Sequence, residues 1–264
     1  MEKSKIYFKS CENMNEVNNE SIQLMVTSPP YWNLKDYLVS NQIGYNERYN
    51  EYLNRINKVW REVFRTLKGD GIAIININTK FGRFNRISPN KSLIQIQNDF
   101  IYQMEKIGFI LKDILIWHKS SGIPSKNNFS DHFEYFLIFS KNDSYKIKED
   151  VSNFMDYRLN VKMTKSINIW NINKKAGNLA KKHMIHPAIF PVELIGRLIK
   201  MFTEEGDIVL DPFMGSGTSL IASILNERTC VGYELNNKEY LELIKFRLGD
   251  YNISLKNIDF FTQN

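Results

Sequence analysis

The stretch Asp207-Ile-Val-Leu-Asp-Pro-Phe-Met-Gly-Ser-Gly-Thr218 reads as an apolar strand, a tight turn and the start of a helix. Gly215 and Gly217 permit positive φ and let the backbone come close to a ligand. A helix opening at Thr218 aims unpaired amides and a partial positive charge at that ligand. The turn is no phosphate loop: the GxxxxGK(S/T) pattern is missing and no lysine follows the glycines. It also lacks the third glycine of a dinucleotide fingerprint. A second apolar run, Cys230–Leu235, carries Glu234 roughly 20 residues past the glycines, where a carboxylate is placed to bind ribose hydroxyls. The unit reads as a site for a nucleoside without a pyrophosphate. S-adenosylmethionine is such a ligand, with Asp211 at its amino-acid end and Glu234 at its ribose.

Working outward, short runs rich in β-branched and aromatic residues alternate with helical patterns. Ile22–Thr27, Gly71–Asn78, Asp113–His118 and Tyr135–Ser140 join Asp207–Asp211 and Cys230–Leu235 as expected strands. Tyr49–Leu67, Leu93–Ile107, Pro191–Phe202, Thr218–Asn226 and Lys238–Leu248 are the expected helices. Pro191 suits a first turn, and Gly69 and Gly108 suit helix ends. This alternation predicts an α/β domain with a mostly parallel sheet covered on both faces. From Lys141 to Asn168 it breaks, which marks an insertion or small subdomain.

The second motif is Val26-Thr-Ser-Pro-Pro-Tyr-Trp32, directly after the strand Ile22–Val26. Two prolines fix φ and present carbonyls without amide donors, giving a stiff loop rich in acceptors. It lies at the carboxyl end of a strand, where ligands bind in open α/β sheets. An exocyclic amine is a poor nucleophile because its lone pair is delocalised into the ring. Acceptors on its two hydrogens, here Ser28 Oγ and the Pro29 carbonyl, favour a pyramidal nitrogen and free the lone pair. Tyr31 offers a face for a base that has left its duplex.

The 264 residues carry a net charge of +6, which favours an acidic partner such as nucleic acid. Between Lys141 and Ile185 ten Lys or Arg face four Asp or Glu, so this stretch alone accounts for the excess. Lys174, Lys175, Lys181 and Lys182 are the candidate phosphate contacts. No apolar run approaches the ~20 residues of a membrane span. The first ten residues lack the apolar segment of an export signal, and a cytoplasmic location is expected. Cys11 and Cys230 read as ordinary buried thiols. His183 and His186 stand three apart without a third ligand, and no metal is expected.

With both motifs in hand, the chain resembles the amino-methylating DNA methyltransferases over nearly its whole length. TSPPYW is similar to their catalytic motif and DPFMGSGT to their S-adenosylmethionine motif. Finding the catalytic motif first resembles the permuted "beta" order on a Rossmann-like methyltransferase fold. GIAIININ, ILIWHKS and HFEYFLIFSK resemble later strands of that sheet. His186-Pro-Ala-Ile-Phe-Pro-Val-Glu193 resembles the helix entry that closes over the methionine part of the cofactor. The resemblance implies a catalytic loop of Ser28, Pro29, Pro30 and Tyr31. It implies cofactor contacts from Asp211, Phe213, Gly215, Ser216, Gly217, Thr218, Glu234, His186, Phe190 and Pro191. It divides the chain into a catalytic half (1–140), a basic target-recognition insertion (141–185) and a cofactor half (186–264). Where the family often carries an acidic residue at the cofactor's adenine, Ser10, Cys11 or Glu12 stands here. Gln23 replaces a common Asp.

The implied activity is methyl transfer from S-adenosylmethionine to the 4-amino group of cytosine in duplex DNA. Adenine enzymes of the family usually carry Asp or Asn where Ser28 stands. The setting expected is restriction–modification, with a partner endonuclease and the chain as monomer or homodimer. An adenine 6-amino enzyme, an RNA methyltransferase and a catalytically silent DNA-binding subunit are the alternatives. A carbon-5 cytosine enzyme is excluded, because neither cysteine lies in a Pro-Cys setting.

Overall fold

The computed structural model describes residues 2–82, 92–119, 129, 132–145, 147, 155–156, 161–162, 168–173 and 190–262. The strands are β1 (Ser4–Phe8), β2 (Ile22–Thr27), β3 (Leu67–Ile77), β4 (Lys80–Gly82), β5 (Ser92–Ile94), β6 (Ile110–His118), β7 (Phe133–Ser140), β8 (Met155–Asp156), β9 (Val161–Lys162), β10 (Ile169–Asn171), β11 (Ile208–Asp211), β12 (Thr229–Tyr233) and β13 (Ile258–Thr262). The helices are α1 (Tyr49–Thr66), α2 (Ile96–Ile107), α3 (Val192–Phe202), α4 (Thr218–Leu225) and α5 (Asn237–Asp250).

Nine strands form one sheet in the order β10-β6-β7-β3-β2-β11-β12-β1-β13. All neighbours are parallel except those of β7, which runs against both β3 and β6. Strand β2 is buried at every position, as a central strand covered on both faces must be. Alternate side chains enter opposite layers. Met25 joins the core under α1 and α2, with Trp60 and Phe100. Leu24 and Val26 join the opposite layer under α3, with Leu198 and Phe202. Ile6, Phe8 and Cys230 extend that second layer beneath α4 and α5.

The chain winds outward from the middle of the sheet in two directions. From β2 it passes through α1 to β3, and from β11 through α4 to β12. The boundary between β2 and β11 is therefore a switch point, where a crevice opens beyond the strand ends.

The largest departures from the sequence reading are at element starts. Residues 92–94 pair with β4, so α2 begins at Ile96 rather than Leu93. Strand β3 begins directly after α1, at Leu67, which places Gly69 inside the strand and not at a helix end. Gly108 does end α2, with φ 119°. Strands β1, β4, β5, β8, β9, β10 and β13 are additions to the expected set. Both cysteines are buried free thiols. Among the described residues no helix is long and apolar enough to cross a membrane, and no group of three or more His, Cys, Asp or Glu could hold a metal.

Candidate active site

Both motif loops open onto one cavity of about 240 Å³ at the switch point. The glycine loop is fixed from several sides. Gly215 and Gly217 have φ of 51° and 78°, a backbone state that costs glycine least. The Met214 amide donates to the Tyr233 carbonyl at 2.9 Å, tying the loop to the end of β12. Beneath it, a side chain at Gly232 would collide with Met214, whose Cε lies 1.8 Å from the position of a Cβ.

Glu234 receives the Gly215 amide at 2.9 Å and the Asn236 amide at 2.8 Å. Burial in the cavity wall pushes its carboxyl up to about 7, although these amides pull the other way. Asp211, 6% exposed, accepts from Thr27 Oγ1 at 2.6 Å, from the Phe213 amide at 3.0 Å and from the Ser219 hydroxyl. Burial raises its pKa, against the pull of those donors. A carboxylate offers about four acceptor positions, so both groups keep capacity for a ligand. Two acceptors beside closely approachable glycine backbone fit the hydroxyls and ammonium of S-adenosylmethionine. Arg247, on α5, was not anticipated. Its Nη1 donates to the Ser216 carbonyl and hydroxyl at 2.7 Å each and to Thr218 Oγ1 at 2.9 Å.

The proline loop is held as firmly. Buried Tyr52 donates its hydroxyl to the Pro30 carbonyl at 3.0 Å, and Trp32 Nε1 donates to the Glu47 carbonyl at 2.9 Å. Ser28 donates its hydroxyl to Asn76 Oδ1 at 3.2 Å, and Asn76 Nδ2 donates to the Tyr135 carbonyl at 3.2 Å.

Ser28, Pro29, Pro30, Tyr31, Asp211, Phe213, Gly215, Ser216, Thr218, Glu234 and Phe190 line the cavity together. Gly217 sits behind the wall as the N-cap of α4, and Pro191 is buried as the N-cap of α3. His186, Lys174, Lys175, Lys181, Lys182 and most of 141–185 lie outside the described residues. Of the adenine-pocket candidates, Ser10 and Cys11 line the cavity, while Glu12 is paired with Arg55 and Lys58. Sequence reasoning missed Asn76, Glu134 and the cavity position of Trp117. Two asparagines in the otherwise apolar GIAIININ were the available signal, since a polar residue on a buried strand needs a reason.

Fold and cavity together define an S-adenosylmethionine-dependent methyltransferase. The chain belongs to the N6_N4_Mtase family of DNA methylases, whose model matches residues 22–246. It is 30% identical to the type II methyltransferase M.Cfr9I of Citrobacter freundii over 86% of this chain and 81% of that one. It is also 30% identical to M.MjaI of Methanocaldococcus jannaschii over 96% of each. Among solved structures, TTHA0409 of Thermus thermophilus, complexed with S-adenosyl-L-methionine, superposes with a TM-score of 0.70 at 26% identity over 99% of both chains. PvuII DNA methyltransferase, described as cytosine-N4-specific, gives 0.73 at 25% identity over 97% of this chain and 90% of that one.

Proposed function

We propose that this DNA methyltransferase modifies the 4-amino group of cytosine in duplex DNA, at a specific site and within a restriction–modification system. The observation that carries the choice of base is Ser28 heading the Pro-Pro-Tyr loop with a hydroxyl, held at 3.2 Å by Asn76. Donating its one hydrogen to Asn76 turns the lone pairs of Ser28 toward the cavity, where they accept an N–H of the target amine. The Pro29 carbonyl takes the second N–H, and Tyr31 stacks on the extruded base. When bound, S-adenosylmethionine supplies an electrophilic methyl group. Asp211 and Glu234 hold its ammonium and ribose while the glycine loop lets it approach. The similarity to the cytosine-N4-specific PvuII enzyme and to relatives named type II methyltransferases supports the same reading. Residues 141–185 supply target recognition, with Lys174, Lys175, Lys181 and Lys182 on phosphates.

The test is methyl transfer from labelled S-adenosylmethionine to mixed-sequence duplex DNA, followed by mass spectrometry of the nucleosides. N4-methylcytosine is the expected product. N6-methyladenine would overturn the use of Ser28 to choose the base.

A further inference from the structure

Proton balance leaves a role that the two motif loops do not fill. As the amine nitrogen bonds to the methyl carbon, the methyl–sulfur bond breaks and its electron pair stays on sulfur. The positive charge passes to nitrogen, and one N–H proton has to leave. Ser28 cannot keep it. The Ser28 hydroxyl points at Asn76 Oδ1, and an amide oxygen is not a base at neutral pH. A carboxylate in the cavity wall would take it directly.

Among the described residues three carboxylates line the cavity: Asp211, Glu234 and Glu134. Asp211 is held by Thr27, Ser219 and the Phe213 amide, and Glu234 by two loop amides; both lie on the cofactor side, with their remaining acceptor positions turned to the methyl donor. Glu134 lies on the base side. In the β3–β7 ladder Asn76 pairs with Phe136, two residues from Glu134, so all three side chains share one face. Such diagonal neighbours are about 7–8 Å apart, which sets Glu134 beside the Ser28 hydroxyl that Asn76 holds. On the other side Glu134 pairs with Trp117 of β6, which also lines the cavity. Lys119 Nζ lies 2.7 Å from Glu134 Oε1, and the two side chains are only 8% and 16% exposed. Burying an ion pair is costly and contributes little stability for that cost. Its place at the cavity wall therefore calls for a use.

We propose that Glu134 is a further catalytic residue: its carboxylate accepts the proton released from the target amine on methyl transfer, and Lys119 positions it. As the nitrogen turns tetrahedral, the N–H held by Ser28 swings to a Glu134 oxygen and its bond breaks there, leaving the methylated amine neutral and the carboxyl protonated. Solvent takes that proton once the base leaves. This inference rests on the reading of the chain as an amine methyltransferase, whichever base it modifies.

The experiment measures the single-turnover rate of a preformed enzyme–cofactor complex, in excess over PCR-amplified and hence unmethylated mixed-sequence duplex DNA. S-adenosylmethionine affinity is taken by calorimetry and stability by urea unfolding. Glu134→Gln keeps the shape and an acceptor oxygen but cannot take the proton. It should be slowed by about 100-fold or more, with cofactor affinity held within about twofold. Glu134→Asp should recover much of that rate, and Lys119→Met, which keeps the carboxylate, should lose less than about tenfold. Glu134→Gln within about threefold of the parent, or slowed only as much as Lys119→Met, would overturn the assignment. A parent chain that binds cofactor yet methylates no base would fail the underlying reading, an outcome distinct from an active parent with an active Glu134→Gln.

Discussion

Replacing Arg247 by Met probes how the glycine loop is held. The side chain is 4% exposed, and its Nη1 faces three acceptors at 2.7–2.9 Å: the Ser216 carbonyl, the Ser216 hydroxyl and Thr218 Oγ1. One guanidinium nitrogen carries two hydrogens, so three contacts amount to two hydrogen bonds' worth of energy. Bonds to a charged donor are worth about 1.5–3 kcal/mol each, which gives about 3–6 kcal/mol lost. Methionine recovers part of this, because burial already disfavours the charged guanidinium and lowers its pKa, while an apolar chain of similar reach carries no such desolvation cost. The net expectation is about 2–4 kcal/mol of destabilisation. For a chain of this size that lowers the melting temperature by roughly 5–15 °C. Ser216 and Thr218 bracket the α4 N-cap, Gly217, so the loosened loop should also bind S-adenosylmethionine about tenfold more weakly. Urea unfolding of the unliganded chain and calorimetric titration with the cofactor measure the two effects. A loss under about 1 kcal/mol with unchanged affinity would refute the view that α5 clamps the loop.

Cofactor affinity should rise with pH through about 7, because only ionised Glu234 accepts both ribose hydroxyls and its carboxyl is pushed up to about 7. Titrations at pH 6 and 8 should differ about fivefold or more, and Glu234→Gln should abolish the difference. Since the folded-state value lies above the ordinary carboxylate range, the unliganded chain should lose stability as pH rises from that range through about 7; a urea midpoint that rises instead contradicts the assignment. Ser28→Ala and Tyr31→Ala should each slow single-turnover methyl transfer by about 100-fold while leaving cofactor affinity largely intact; unchanged turnover in both would remove the proline loop from the chemistry. Asp211→Ala should weaken cofactor binding by about tenfold or more, and a parental dissociation constant in calorimetry would deny it the ammonium.

The fold was legible wherever one stretch of chain carried its own signal. Strand β2 matches its expected bounds at Ile22–Thr27, because a short apolar run stopped by a proline pair has few other uses. Helix α4 begins at Thr218 as expected, because glycines punctuate the turn before it. Strand β10 spans only Ile169–Asn171, too short for any period to show, and β13 exists through pairing with β1 at the far end of the sequence. The same contrast governs the site. TSPPYW and DPFMGSGT are contiguous, so spacing alone exposes them. Asn76 meets Ser28 across 48 residues and Arg247 meets Ser216 across 31, contacts that are created only by the folded sheet and the helix packed on it.

The 2.6 Å bond from Thr27 to Asp211 spans 184 residues of sequence and the switch point of the sheet. Thr27 immediately precedes Ser28, and Asp211 immediately precedes the glycine loop. On the proposed reading, the grip on the base and the grip on the methyl donor are thus anchored in one shared hydrogen bond. Any coupling carried by such a shared anchor is reciprocal. The factor by which target DNA alters affinity for the methyl donor must equal the factor by which the donor alters affinity for DNA. Thr27→Val would lower both factors together.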